Sequence, residues 1–149
     1  MEGPRGVPVL RLHHLGVLVA NLDEALRFYG GALGLAGGAA HESAPNDIRA
    51  VLLDVGDSHI ELFAPFAADG PVAGTLAKRG AGMHHVAYEV EDIDAALDQC
   101  RAAGIQLIDA VARPGLYEGW RVAFLHPRSC GGVLTELVET GKPWPGVGI

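Results

Sequence analysis

The stretch His13-His14-Leu15-Gly16-Val17-Leu18-Val19 returns as His84-His85-Val86-Ala87-Tyr88-Glu89-Val90, and that echo decides the fold. The offset of 71 residues persists beyond the histidines, because Leu22, Ala25 and Leu26 fall on Ile93, Ala96 and Leu97. A chance pair of histidines would not bring a helical pattern with it. A second echo closes each copy, where Ile60-Glu61-Leu62 is answered by Thr135-Glu136-Leu137. The glutamate follows its histidine by 47 residues in the first copy, His14 to Glu61, and by 51 in the second, His85 to Glu136. The chain reads as a duplicated module with one such histidine and one glutamate per copy.

Working outward, the first copy predicts a strand over 9–19, then a helix to about 32. Asn21 or Asp23 can cap that helix, Leu22, Ala25, Leu26 and Tyr29 share one of its faces, and Gly34 stops it. Strands follow over 35–42, 48–55 and 58–63, the last two joined by Gly56-Asp57, a hairpin turn signal. The second copy predicts a strand over 84–90, a helix over 93–103 stopped by Gly104, and strands over 106–112, 120–125 and 133–138. Each copy is βαβββ, over about 9–65 and 82–139. The connector 66–81 carries a short helix over 72–78, and the tail 140–149, with Pro143 and Pro145, is expected to be mobile or to lie on a surface. The fold class is α+β: two tandem βαβββ modules with pseudo-twofold symmetry.

Composition bounds the function. At 149 residues and 49% hydrophobic content the chain is one domain whose two modules share a core. A formal charge of −7 excludes nucleic acid, whose phosphates need a basic face. No run approaches the ~18 apolar residues of a membrane span, and residues 1–12 lack the apolar centre of a signal peptide, so a cytoplasmic protein is expected. Cys100 and Cys130 are too few for a disulfide framework and are expected as reduced thiols.

Strand alternation puts residues two apart on one face. His14 then shares a face with Gly16, and His85 with Ala87, small neighbours that leave room beside each imidazole. A carboxylate inside an apolar strand is costly unless it is paired or metal-bound. Pseudo-twofold packing of His14, Glu61, His85 and Glu136 would give the two-imidazole, two-carboxylate set that holds a divalent metal. His13 and His84 fall on the opposite face and are expected to be structural or to stand behind the ligands, where a neighbouring imidazole could orient one of them. His59 has Leu134 as its counterpart, so symmetry gives it no support. His126 lies in the loop Phe124-Leu125-His126-Pro127-Arg128-Ser129-Cys130-Gly131-Gly132, which leads into the Glu136 strand and reads either as a solvated turn or as a substrate-facing loop. Lys78-Arg79 near the linker reads as a solvated pair, with phosphate binding as the alternative.

On these residues the chain resembles the vicinal oxygen chelate superfamily and, within it, the methylmalonyl-CoA epimerases. The matching pieces are His13-His14-Leu15-Gly16 with Leu22-Asp23-Glu24-Ala25, Ile60-Glu61-Leu62-Phe63-Ala64-Pro65, Gly82-Met83-His84-His85-Val86-Ala87, and above all the segment HPRSCGGVLTEL from His126 to Leu137. The resemblance implies a curled, mostly antiparallel sheet around a metal site, with one divalent ion per chain, cobalt, nickel, manganese or zinc, on His14, Glu61, His85 and Glu136. It implies an isomerase that inverts the α-carbon of an acyl-CoA by removing its proton through a metal-stabilised enolate. Glu136 is then the first candidate base and Glu61, its symmetric counterpart, the second. Many epimerases carry Gln where this chain has Glu61, which brings its ligand set closer to that of glyoxalase I.

Two departures from the family pattern matter. Some members use a Glu on the strand after the Pro45 turn, where this chain aligns Val51, with Asp47 nearby. Tyr117 and Trp120 stand where many epimerases have a small, Gly-rich loop, and either pack or reshape the pocket for another acyl group. Expected substrate contacts are His126, Arg128, Ser129, Tyr117 and Trp120, with the CoA phosphates near Lys78, Arg79 or Arg128 and a homodimer as the assembly. The competing readings are a glyoxalase-type isomerase, a ring-cleaving dioxygenase, and a metal-free small-molecule binding protein of the same fold.

Overall fold

The structure is a computed structural model that describes residues 6–141, so the end of the tail, with Pro143 and Pro145, lies outside the described residues. Strand β1 runs Val9–Leu18, helix α1 Leu22–Leu26, and strands β2, β3 and β4 His41–Ser43, Ile48–Val55 and Ser58–Pro65. Helix α2 spans Pro71–Arg79, β5 Gly82–Val90 and α3 Ile93–Ala102, followed by β6 Arg113–Pro114, β7 Arg121–Leu125 and β8 Thr135–Glu139. The βαβββ order therefore occurs twice. Among the described residues no helix is long and apolar enough to cross a membrane.

The chain divides into two compact units, and the boundaries fall inside the two histidine doublets. One unit runs from His14 to His84, and the other holds, among the described residues, 6–13 and 85–141. Each doublet thus gives one histidine to each unit.

In the unit from His14 to His84 the strand order is β2-β3-β4-β1. Strands β2/β3 and β3/β4 are antiparallel, and β4 runs parallel to β1. The β3–β4 turn is the two-residue hairpin expected at Gly56-Asp57, with Val55 opposite Ser58 and Gly56 at φ 58°. Asn21 caps α1 by accepting from the Glu24 N–H at 2.9 Å. The expected helix to residue 32 is present, but its last turn, Arg27–Ala32, widens to π geometry, where the Leu33 N–H reaches the Phe28 carbonyl. Leu22 packs on Val51, Leu53 and Leu62, with Ala25, Leu26 and Tyr29 closing over them, so α1 covers one face of this sheet.

The other unit repeats the order as β5-β8-β7-β6, with β5 parallel to β8 and the remaining pairs antiparallel. Asp92 caps α3 through the Ala95 N–H, and Gly104 at φ 78° ends its C-terminal turn. Ile93, Ala96, Leu97 and Cys100 pack on Ala123, Leu125 and Leu137, again covering one sheet face.

Two predicted strands shrink. Residues 35–42 yield only a bridge from Gly37 to Leu53 before β2 begins at His41. A Cβ on Gly37 would stand 2.5 Å from the Leu53 side chain and 2.6 Å from the Leu52 carbonyl, so the close crossing excludes a side chain. Residues 106–112 give one bridge, Leu107 to Leu125, and the strand proper is Arg113–Pro114. The cause is Asp109, whose carboxylate accepts the Phe124 N–H at 2.8 Å while the Ile108 and Asp109 N–H groups both donate to the Phe124 carbonyl. A side chain has taken over the ladder.

Candidate functional site

The face of each sheet away from its helix carries the histidine and the glutamate, in matching register. In the first unit Gly16 is the Cα partner of Glu61, and His14 stands two residues before Gly16 on β1. In the second, Ala87 is the partner of Glu136, and His85 stands two residues before Ala87 on β5. The small residue across from each carboxylate leaves the histidine room to lean over it. His14 Nε2 lies 3.7 Å from Glu61 Oε2, and His85 Nε2 lies 3.4 Å from Glu136 Oε1. His14, Glu61, His85 and Glu136 are 2%, 6%, 5% and 7% exposed.

Those separations are longer than a hydrogen bond between nitrogen and oxygen. Two ligand atoms each ~2.1 Å from one ion at a near-tetrahedral angle stand about 3.4 Å apart. Imidazole nitrogen beside carboxylate oxygen, both out of water, is a donor set that suits a divalent transition metal. The residues present fit such an ion.

The faces hold more than the sequence placed there. His13 turns away from His14 along β1, as alternation requires, yet it is no bystander on a back face. Its ring stands edge-on to Trp120 at 4.9 Å, and its Nε2 is 3.9 Å from Glu89 Oε1. Glu89 is the partner of Val138, two residues along β8 from Glu136, so His13 lies on the face that carries Glu136. His84 does the same in the other unit, its ring edge-on to Phe63 at 5.0 Å, two residues along β4 from Glu61. Each first histidine thus turns from its doublet partner, as alternation requires, and lies on the glutamate-bearing face of its own unit, because the unit boundary runs between the members of each doublet.

Sequence reasoning missed three further features of the Glu136 face. Arg11 Nε binds Glu89 Oε1 at 3.0 Å, a pair whose side chains are only 11% and 2% exposed. Phe124 is the partner of Glu136 and meets the His85 ring edge-on at 5.4 Å. The Arg113 guanidinium lies 5.6 Å over the Phe124 ring and is braced by Asp109 at 3.3 Å. Alternation could have flagged Glu89 and Phe124, which occupy inward positions on β5 and β7; nothing local marks Arg113.

The expected substrate contacts fare unevenly. His126 Nδ1 accepts the Arg128 N–H at 3.0 Å, capping the short turn Pro127–Ser129, and Ser129 Oγ accepts the Gln106 N–H at 2.9 Å. Both side chains therefore shape the loop. Arg128 is exposed, and the rings of Tyr117 and Trp120 meet edge-on at 4.8 Å. In the other unit His59 shares the face of His14 but turns to Asp54 at 3.4 Å. Val51 packs under α1 on the opposite face, and the Asp47 carboxylate accepts the Ala67 and Val72 N–H groups, both at 3.0 Å. Beside Glu61 and Phe63, strand β3 presents Leu52 and Ala50. It brings no acid to stand in for the family's strand glutamate there.

Paired βαβββ modules, each with a buried His–Glu couple on its uncovered face, define a class of protein. This chain belongs to the Glyoxalase/Bleomycin resistance protein/Dioxygenase superfamily, whose model matches residues 13–124. Among its relatives are named epimerases. It is 38% identical to the mitochondrial methylmalonyl-CoA epimerase of Bos taurus over 87% of this chain and 74% of that one. It is 35% identical to an ethylmalonyl-CoA/methylmalonyl-CoA epimerase of Cereibacter sphaeroides, over 87% of this chain and 97% of the other. A methylmalonyl-CoA epimerase variant from Streptomyces coelicolor, solved in complex with 2-nitronate-propionyl-CoA, superposes with a TM-score of 0.82 at 33% identity, covering 91% and 99% of the two chains. The chain is accordingly an isomerase of the racemase and epimerase kind.

Proposed function

We propose that this protein interconverts the two configurations of methylmalonyl-CoA, and that His14, Glu61, His85 and Glu136 hold one divalent metal ion at its active centre. The observation that carries the reading is the register: each glutamate faces a small residue with its histidine two positions away, in both units. Kinship with epimerases that act on branched malonyl thioesters supplies the substrate class.

When bound, the ion would draw electron density from the thioester carbonyl and so acidify the carbon between the two acyl carbonyls. The protein's own groups then move the proton. Glu136, buried beside His85 and walled by Phe124, takes it from one face of the carbon at a carboxylate oxygen. Inversion needs delivery from the other face, and Glu61 is the acid assigned to it, since Val51 is turned under α1 and Asp47 is engaged by two backbone N–H groups. The His126–Gly132 loop enters β8 directly and is the substrate-facing loop of this reading, with the CoA phosphates received by Lys78, Arg79 or Arg128, all exposed.

The test uses cobalt-loaded protein and methylmalonyl-CoA of one configuration in heavy water. Deuterium entry at the α-carbon and loss of optical purity are followed together by NMR. Both are expected in the wild type, with a fall of at least about 100-fold in Glu136→Gln, the scale of a lost general base. Absence of exchange in protein holding about one metal per chain would overturn the epimerase reading and point to hemithioacetal substrates.

A further inference from the structure

We propose that Trp120 sets the upper size of the α-substituent and restricts the enzyme to a methyl branch. The inference rests on the epimerase reading and refines it. Glu136 can take a proton only from a carbon held against its own sheet face. The neighbours on that face are Ala87 across on β5, Phe124 across on β7, and Val138 two residues along β8, itself opposite Val122. Phe124 is a large wall on one side. On the other side the floor is small, built of Ala87, Val122 and Val138, and a branch on the α-carbon could extend over it. Yet Ala87 and Val138 are 0% exposed and Val122 is 4% exposed. Trp120 is the side chain that packs over these three within the unit.

The indole is not free to swing aside. Its ring is held edge-on by His13 at 4.9 Å on one side and Tyr117 at 4.8 Å on the other. The backbone that carries the ring is fixed as well: the Trp120 backbone N–H donates to the Tyr117 carbonyl at 3.0 Å, and the Trp120 backbone carbonyl accepts from the Gly115 N–H at 2.9 Å. Gly115 completes the clamp, because a Cβ there would stand 2.9 Å from the Trp120 Cβ. His13 in turn sits beside the buried Arg11–Glu89 pair. The space left beside Glu136 is therefore fixed in advance, and a longer branch would have to displace a clamped ring.

The experiment compares kcat/KM for α-proton exchange with methylmalonyl-CoA and ethylmalonyl-CoA in the wild type, Trp120→Val and Trp120→Phe. One methylene against a rigid wall is worth about tenfold or more, so the wild type is expected to prefer methylmalonyl-CoA by at least that factor. Trp120→Val should bring the ratio below about threefold, mainly by raising exchange of ethylmalonyl-CoA, with Trp120→Phe between; these are the steps expected from removing one wall. Trp120→Phe keeps an aromatic body between His13 and Tyr117, which guards against mere loss of folding. A wild type that handles both esters within twofold overturns the proposal without any variant, and so does an active variant that keeps the wild-type ratio. Exchange with neither ester overturns the epimerase reading, and the inference falls with it.

Discussion

Glu89 is the residue whose placement most exceeds what its neighbours in the sequence suggest. Set in β5 between Tyr88 and Val90, it is 2% exposed and bound to Arg11, 78 residues earlier. Alternation assigns the side of the sheet but not the partner brought across it, which is why the Glu136 face was legible along His85, Ala87 and Glu89 and illegible at Arg11 and His13, the groups that meet Glu89 there. A buried ion pair costs little to replace as a pair and much to break, because the surviving charge keeps its desolvation penalty. Glu89→Ala should therefore destabilise by about 3–5 kcal/mol. Arg11→Met with Glu89→Leu should cost far less, and urea unfolding of the three proteins measures the difference. The cysteines allow a second check at this scale. Burial pushes the Cys100 thiol up, with nearby Cys130 adding to the shift, and only the thiolate is nucleophilic. With Cys100 4% exposed and Cys130 half-buried, iodoacetamide at pH 8 should label Cys130 first and Cys100 only on unfolding, as read by intact mass.

Elements whose ends carry a chemical stop signal were legible almost to the residue. Asn21 and Asp92 cap the two main helices, Gly34 and Gly104 follow them in the left-handed region, and the Gly56-Asp57 turn joins β3 to β4. The illegible elements are those in which a side chain replaces backbone pairing, as Asp109 does beside β7. Asp47 belongs with them. It sits at φ 55°, outside any helix, yet its two carboxylate oxygens hold the Ala67 N–H and the first-turn Val72 N–H of α2. A carboxylate so engaged is a joint between β3 and α2, not a proton carrier. Asp47→Ala should lower the unfolding free energy by about 2–3 kcal/mol, since it strands two backbone donors. Exchange by the folded fraction should stay within about threefold of the wild type, far from the loss expected on removing a base. A 100-fold loss of exchange without loss of stability would return Asp47 to the catalytic machinery.

For the molecule as a whole, duplication was the legible property and the division into units was not. The 71-residue offset foretold matching strands, matching helices and matching His–Glu couples, because a repeated sequence repeats its local physics. It foretold modules that begin with β1 and β5, whereas the compact units part within those strands, between His13 and His14 and between His84 and His85. Nothing local marks that break, since it depends on which strand each half pairs with. The consequence is testable as a stoichiometry. If Glu61 and Glu136 each held an ion with its own histidine, the protein would bind two cobalt ions, and His14→Ala or His85→Ala would each remove one. If the four side chains are the ligands of one ion, the wild type binds one. Either substitution then weakens that single site as a whole, by at least about 10- to 100-fold, a scale already reached on disturbing a ligand's hydrogen-bond partners. Stability offers an independent readout, because a ligand that binds only the folded chain at a hundred times its Kd adds about 2.7 kcal/mol. In a chain of this length that corresponds to a rise in Tm of about 5–10 °C. Cobalt should produce that rise in the wild type and little of it in either single variant. A half-sized rise in each would establish two independent sites and remove the basis for a single active centre.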